Sequence, residues 1–133
     1  MNHQNSYKEA MRYIENADDN LKLAGKDGKY YIDDKYVKTA CGTAYSGLLK
    51  ALDFLFAFKG TPNTHRRKSI QYYQNILSGI DKKLLDNLNT SYRILHLEGY
   101  YEGERKMDVI KSGFDSAVFI ISALKPYSKN GDE

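Results

Sequence analysis

The sequence has no tryptophan, a single cysteine, two prolines and no long apolar run. Because Cys41 has no partner for an internal disulfide, the chain is not a disulfide-stabilised scaffold. The most apolar stretch, residues 48–58, carries Lys50 and Asp53 and is much shorter than the roughly 20 apolar residues of a membrane-spanning helix. With so few prolines, long helices meet few interruptions. We therefore expect a helical protein without membrane contact.

The chain also lacks targeting features and a strong charge of one sign. Its first seven residues are polar, unlike the apolar core of a secretory signal peptide. Cys41 stands among small residues, which indicates a buried position on a helix. Both observations predict a cytoplasmic protein. The net charge of +3 is too small an excess to indicate nucleic-acid binding unless the charges gather on one surface.

Apolar residues recur at helical intervals in five segments. We predict helices at residues 6–24, 34–59, 64–78, 82–98 and 104–125. Ser6 and Glu9 have the spacing of a capping box, and Asp33 or Asp34 is expected to cap helix two. Residues 26–33 are predicted to form a structured loop and residues 127–133 a disordered tail. The short connections predict one domain over residues 1–133, an all-α, antiparallel up-and-down bundle of about five helices.

Basic and aromatic residues are expected to gather at one end of this bundle. In an up-and-down arrangement, the turn between helices two and three shares an end with the turn between helices four and five. Cations at a helix start are disfavoured by the helix dipole, whereas free N–H groups there attract anions, so a bound anion would stabilise such an end. A solvated charged surface is the simpler interpretation of the same residues. The predicted ligand-binding residues are Arg66, Arg67, Lys68, Arg93, His96, Tyr100 and Arg105.

Three segments resemble the HEPN superfamily of helical bundles. They are residues 7–23, the run TACGTAYSGLLKALDFLF at residues 39–56, and residues 107–124 after a glycine-containing turn. The resemblance implies a helical bundle, often dimeric, in an uncharacterised branch of that superfamily. Many similar proteins are metal-independent ribonucleases in which an arginine is followed after four to six residues by a histidine. No arginine of this sequence has a histidine at that spacing, and the nearest pair is Arg93 and His96. No catalytic residue is therefore carried over.

A di-metal site in a helical bundle uses Glu-x-x-His pairs, which this sequence lacks, so we expect no metal or cofactor. We predict a non-catalytic HEPN-like binding or interaction module whose basic, aromatic end takes an anionic ligand, a nucleic acid or another protein. Homodimerisation is expected because helix two has more apolar surface than small neighbours cover. The alternative is an enzyme that acts on RNA or nucleotides through Arg93, His96 and Tyr100.

Overall fold

A computed structural model describes residues 5–61 and 68–127 of the chain. These residues form a bundle of five α-helices with one short hairpin, which confirms the all-α class. In the described part, no helix is long and apolar enough to cross a membrane. The elements in chain order are α1 (Ser6–Lys22), β1 (Lys26–Asp27), β2 (Tyr30–Tyr31), α2 (Asp34–Phe58), α3 (Ile70–Ser78), α4 (Lys82–Ser91), a π-helix (Tyr92–Tyr101), α5 (Met107–Ser122) and a 3₁₀ turn (Lys125–Tyr127).

Helix α1 begins one residue earlier than the predicted capping box requires. Asn5 precedes the helix, so Ser6 is already helical and cannot serve as its cap. The Ser6 side chain is buried, and its hydroxyl has no hydrogen-bond partner among the described residues. Glu9 instead pairs with Arg12 at 3.1 Å. The capping-box prediction is wrong, because sequence spacing alone does not show on which side of Ser6 the helix starts.

Helix α2 is the central element of the bundle. As predicted, Asp33 caps its start: the Asp33 carboxylate accepts a hydrogen bond of 2.9 Å from the backbone N–H of Lys35. Helix α1 packs closely against it at Gly47, where an added Cβ would lie 2.6 Å from the Cβ of Tyr13. Most apolar side chains of α2 are buried within the chain, so the surface that motivated the dimer prediction is already covered. They include Val37, Cys41, Leu48, Leu52, Phe54, Leu55 and Phe56.

Lys68 and Ser69, which precede α3, lie beside α2 and not beyond its C-terminal end. Lys68 Nζ lies 3.0 Å from Asp53 Oδ1, and the Tyr73 hydroxyl donates to the same oxygen at 3.0 Å. The Ser69 hydroxyl then caps α3 by accepting from the N–H of Tyr72. Helix α3 therefore starts beside the middle of the C-terminal half of α2. The predicted start of this helix, residues 64–67, lies outside the described residues.

Contacts of the remaining helices show in which direction each helix of the bundle runs. Helix α3 packs against α4 across a short turn, and Gln74 donates a hydrogen bond of 2.8 Å to Asn89. The π-helix continues α4 and runs against α5, where an added Cβ on Gly113 would lie 2.5 Å from the side chain of Ile94. Helices α2, α3 and α5 thus run in one sense, and α1 and α4 with the π-helix run in the other. The predicted reversal between α2 and α3 is wrong.

The segment predicted to be a structured loop contains an antiparallel β-hairpin in which Lys26 faces Tyr31. The hairpin is bonded to the turn between the π-helix and α5. The Tyr31 N–H donates to the Arg105 carbonyl at 2.8 Å, and the Arg105 guanidinium donates to the Tyr31 carbonyl at 3.0 Å. The N–H of Met107 donates to the Lys29 carbonyl at 2.9 Å. The turn before α5 therefore lies at the N-terminal end of α2.

The end of the described chain packs against the opposite end of α2. The ring of Tyr127 stacks on that of Phe58, with centroids 4.5 Å apart. Lys125 Nζ lies 5.5 Å from the ring of Tyr7, which brings the end of the chain beside the start of α1. Tyr127 is thus ordered, although it was assigned to the predicted tail. Residues 128–133 of that tail lie outside the described residues.

Candidate functional site

The π-helix at Tyr92–Tyr101 continues α4 without a break. Its widened hydrogen bonding is seen where the N–H of Glu102 donates to the Leu97 carbonyl, five residues back, at 3.2 Å. The left-handed backbone of Gly103, with φ of +69°, ends the helix. The predicted end of this helix at residue 98 is therefore wrong. π-Helices are uncommon, and those that occur are frequently found at functional sites. This segment is therefore a candidate functional site.

Two glycines allow the π-helix to lie directly against α2. An added Cβ on Gly99 would lie 2.7 Å from the Cβ of Cys41, and one on Gly42 would lie 2.8 Å from the ring of Tyr100. Cys41 is fully buried there, and burial raises the pKa of its thiol to about 12. The predicted core position of Cys41 is confirmed, and the thiol stays protonated at neutral pH.

The close approach gathers four tyrosines around His96. The imidazole lies 4.8 Å from the ring of Tyr45 and 5.3 Å from that of Tyr92, with interplanar angles of 27° and 28°. Tyr101 meets it edge-on at 4.9 Å, and Tyr100 lies parallel to it at 6.2 Å. These are favourable aromatic geometries. Desolvation lowers the pKa of His96 below its ordinary value, so the ring is neutral at pH 7 and offers one donor and one acceptor.

A shallow, open groove of about 360 Å³ lies beside this tyrosine–histidine cluster. Its wall is mainly apolar, and its six lining residues carry no charge when the imidazole is neutral. Tyr100 remains 46% exposed at the rim. The groove therefore has the shape and chemistry to stack a planar ring and to hydrogen-bond its edge. Its lining residues are Thr39, Gly42, Thr43, Tyr45, His96 and Tyr100.

The structure brings together only part of the predicted ligand-binding set. His96 and Tyr100 line the groove, and Arg93 lies on the same π-helix. Arg93 is not paired with His96, because its guanidinium lies 3.0 Å from the carboxylate of Glu98. Arg105 binds the Tyr31 carbonyl and fastens the hairpin to the bundle. The guanidinium of Arg105 is therefore already engaged in a structural contact.

The predicted shared basic end is wrong. Arg105 lies at the N-terminal end of α2, whereas Lys68 forms its ion pair with Asp53. The helical rise of α2 from position 34 to position 53 is about 28 Å. The error arises because the prediction assumed that α2 and α3 run in opposite senses, whereas they run in the same sense. Arg66 and Arg67 lie outside the described residues, and ligand binding by the seven residues stays a prediction.

The α2 side of the groove was not predicted from the sequence. Thr39, Thr43 and Tyr45 lie on a helix whose apolar seam directs attention to the core. A usable signal was the spacing of Tyr92, His96 and Tyr100, four residues apart, because such residues share one helix face. In the part of the chain that the structure describes, no group of three or more histidine, cysteine, aspartate or glutamate residues is placed to hold a metal ion.

A family model described as a domain of unknown function, DUF5618, matches residues 5–125. A protein of unknown function from Dyadobacter fermentans has a similar solved structure, with a TM-score of 0.84 and 38% sequence identity. The similarity covers 96% of this chain and 98% of that one. No curated protein matches the chain. Because the family model spans nearly the whole sequence, the chain belongs to the DUF5618 family.

Proposed function

We propose that this protein is a non-catalytic binding module that holds a planar ring, of the kind found in nucleobases, in the groove between α2 and the π-helix. The observation that carries the proposal is the stacking of His96 among four tyrosines beside an open groove. Aromatic faces stack on nucleobases with energies of about 1–3 kcal/mol per base. The neutral imidazole and the threonine hydroxyls supply hydrogen bonds to a ring edge.

The groove suits a single nucleotide better than a polymer. Its volume of about 360 Å³ is near the small end of ligand pockets, and its lining is uncharged. Nucleic-acid polymers are bound chiefly through cations along a backbone track. The nearest arginine on the π-helix, Arg93, is engaged with Glu98 and would meet a phosphate only by exchanging that partner. Ring stacking is therefore the main source of affinity in this proposal.

A binding role without catalysis fits the surroundings of His96. A general base is usually oriented by a second polar group, whereas the ring contacts of His96 are aromatic. The guanidinium of Arg93 pairs with Glu98 instead of standing beside the imidazole.

Membership of the HEPN-like superfamily and a cytoplasmic location belong to the same proposal. They rest on the sequence resemblance, the helical bundle and the single buried cysteine.

We infer that a homodimer would form through the outer face of the π-helix. Leu97 and Tyr101 are exposed there, at 38% and 62%. Exposed tyrosines and apolar side chains are typical of protein interfaces. Light scattering of the parent and of a Leu97→Ser, Tyr101→Ser double variant tests this. We expect a dimer that the double variant weakens, and a parent that stays monomeric at high concentration would contradict it.

Calorimetric titration with adenosine monophosphate and with ribose 5-phosphate tests the ring-binding proposal. We expect the nucleotide to bind and the sugar phosphate, which lacks the ring, to bind far more weakly. Tyr100→Ala should weaken binding about 5- to 150-fold, the equivalent of one lost stacking face. Phe119→Ala is the matched control, because Phe119 is exposed to 44% on α5 and lies outside the groove.

Three results would contradict the proposal. The first is no nucleotide binding at millimolar concentration, and the second is equal binding of the nucleotide and the sugar phosphate. The third is an equal loss of nucleotide affinity in the Tyr100→Ala and Phe119→Ala variants.

Incubation with labelled single-stranded RNA addresses the enzyme alternative. Cleavage that disappears in His96→Ala would favour an enzyme acting through Arg93, His96 and Tyr100.

A further inference from the structure

A polar groove adjoins the ring-binding groove between α2 and the π-helix. It lies between α1 and α2 and has a volume of about 430 Å³. Its lining residues are Asn16, Asp19, Asn20 and Leu23 of α1 and Thr43 of α2. Because Thr43 lines both grooves, the two meet at this residue. A ligand larger than a single ring can therefore extend from one groove into the other.

The two grooves differ in chemistry. The ring-binding groove presents His96 and Tyr100 of the π-helix and is uncharged when the imidazole is neutral. The polar groove presents two side-chain amides and one carboxylate, and none of the described residues that line it is a lysine or an arginine. Amides and carboxylates hydrogen-bond to hydroxyl groups, whereas a phosphate is bound best by cations. The polar groove is therefore suited to a hydroxylated group and not to a phosphate.

The polar atoms of this groove are accessible to a ligand. The side-chain amide of Asn20 donates to the backbone carbonyl of Asn16 at 3.2 Å, which leaves the side-chain oxygen of Asn20 as an acceptor. The Thr43 hydroxyl and the Asn16 side chain form no hydrogen bond with another described residue. The Asp19 carboxylate lies 3.9 Å from Lys22 Nζ and is 76% exposed, so this loose ion pair leaves it free to accept from a hydroxyl.

We propose that the ligand is a ribonucleoside, with its base in the ring-binding groove and its sugar hydroxyls in the polar groove. This inference rests on the proposed ring-binding function. A ribonucleoside joins a planar ring directly to a sugar with neighbouring hydroxyls, and the two grooves meet in the same way at Thr43. In dinucleotide-binding folds a carboxylate likewise accepts a hydrogen bond from a ribose hydroxyl. Asp19 takes this role here, and its charge disfavours a phosphate on the sugar.

Calorimetric titrations with adenosine, 2′,3′-dideoxyadenosine and adenosine monophosphate test the proposal. We expect the dideoxy compound, which keeps the base, to bind about five-fold or more weakly than adenosine, because the contacts of two hydroxyls are lost. The monophosphate should bind no more tightly than adenosine. Asp19→Ala should weaken adenosine binding about three- to ten-fold and leave binding of the dideoxy compound nearly unchanged. Asp18→Ala is the matched control, because Asp18 precedes Asp19 on α1 and lines a different cavity, between α1 and α5.

Equal binding of adenosine and the dideoxy compound would overturn the proposal, because the sugar hydroxyls would then contribute nothing. Tighter binding of the monophosphate would also overturn it, since the phosphate would be the recognised group. Equal losses in Asp19→Ala and Asp18→Ala would have the same meaning, because a general effect of charge would explain them.

Tyr100→Ala separates this proposal from the ring-binding proposal. If the two nucleosides bind equally and Tyr100→Ala weakens both, ring binding stands and recognition of the sugar fails. If neither nucleoside binds at millimolar concentration, both proposals fail. Loss of both nucleosides in Tyr100→Ala, together with loss of adenosine alone in Asp19→Ala, is the expected result.

Discussion

Replacing Gly99 with alanine tests whether the π-helix packs on α2 as closely as described. The new Cβ would lie 2.7 Å from the Cβ of Cys41 and 3.1 Å from the carbonyl oxygen of Ile94. Ordinary contacts of a Cβ begin near 3.4 Å. Neither neighbour is the flexible end of a long side chain. The steric clash can therefore be relieved only if the π-helix and α2 move apart. The buried position of Cys41 prevents a local adjustment.

The expected cost follows from two opposing effects. Overpacking a well-packed core typically costs about 1–3 kcal/mol, and these distances place Gly99→Ala near the upper limit. Alanine regains about 0.5–1 kcal/mol over glycine within a helix. We therefore expect the free energy of unfolding to fall by about 2 kcal/mol. In a chain of this length, that corresponds to a melting temperature about 7 °C lower.

Urea unfolding followed by circular dichroism measures the effect, and a double-mutant cycle assigns it. Cys41→Gly removes both side-chain atoms that the new methyl group meets. The double variant should therefore be more stable than the sum of the single losses predicts, by about 1–2 kcal/mol. Gly79→Ala is the control, since the nearest atom to its added Cβ is 3.7 Å away, and it should be neutral or slightly stabilising. An additive cycle, or a Gly99→Ala variant as stable as the parent, would refute the packing argument.

Three further predictions concern single side chains. Because burial raises the pKa of the Cys41 thiol to about 12, we expect no reaction with a disulfide reagent at pH 8 until the protein is unfolded; rapid reaction of native protein would contradict this. Because desolvation lowers the folded-state pKa of His96 below the unfolded value, unfolding takes up a proton below about pH 6.5. Stability should fall as pH drops through this window, and the fall should be smaller in His96→Gln, as measured by urea unfolding. Asp53→Ala removes the acceptor of Lys68 and Tyr73 and should cost about 1 kcal/mol, whereas Asp86→Ala, on an exposed pair, should change stability by less than about 0.5 kcal/mol.

Features that depend on neighbouring residues in sequence were predicted well. Asp33 caps α2 as expected, and the predicted helix at residues 34–59 matches α2 to within one residue. Capping and apolar periodicity act over one or two helical turns, so a sequence pattern carries this information directly.

Features that depend on distant contacts were not predictable in this way. The direction of α3 relative to α2 depends on where Lys68 docks, and in the structure Lys68 forms an ion pair with Asp53 of α2. The π-helix leaves the apolar spacing nearly unchanged while shifting each hydrogen bond by one residue. Its position beside α2 depends on the contact of Gly99 with Cys41, residues 58 positions apart in the sequence. The groove follows from that contact.

The contact of Lys125 with Tyr7 places the last described residues of the chain beside the start of α1. A short linker between Tyr127 and Asn5 would join the two ends without crossing the bundle, and the chain could then be opened elsewhere. The hairpin tip at Gly28 is a suitable place, because an added Cβ there would meet no described atom within 4 Å. Such a circular permutant would keep every helix-to-helix contact while moving its free ends to the far side of the molecule. In the natural chain order, residue 127 lies about one length of α2 away from the hairpin. A label or surface attached at residue 127 therefore leaves the hairpin end of the bundle accessible to solvent.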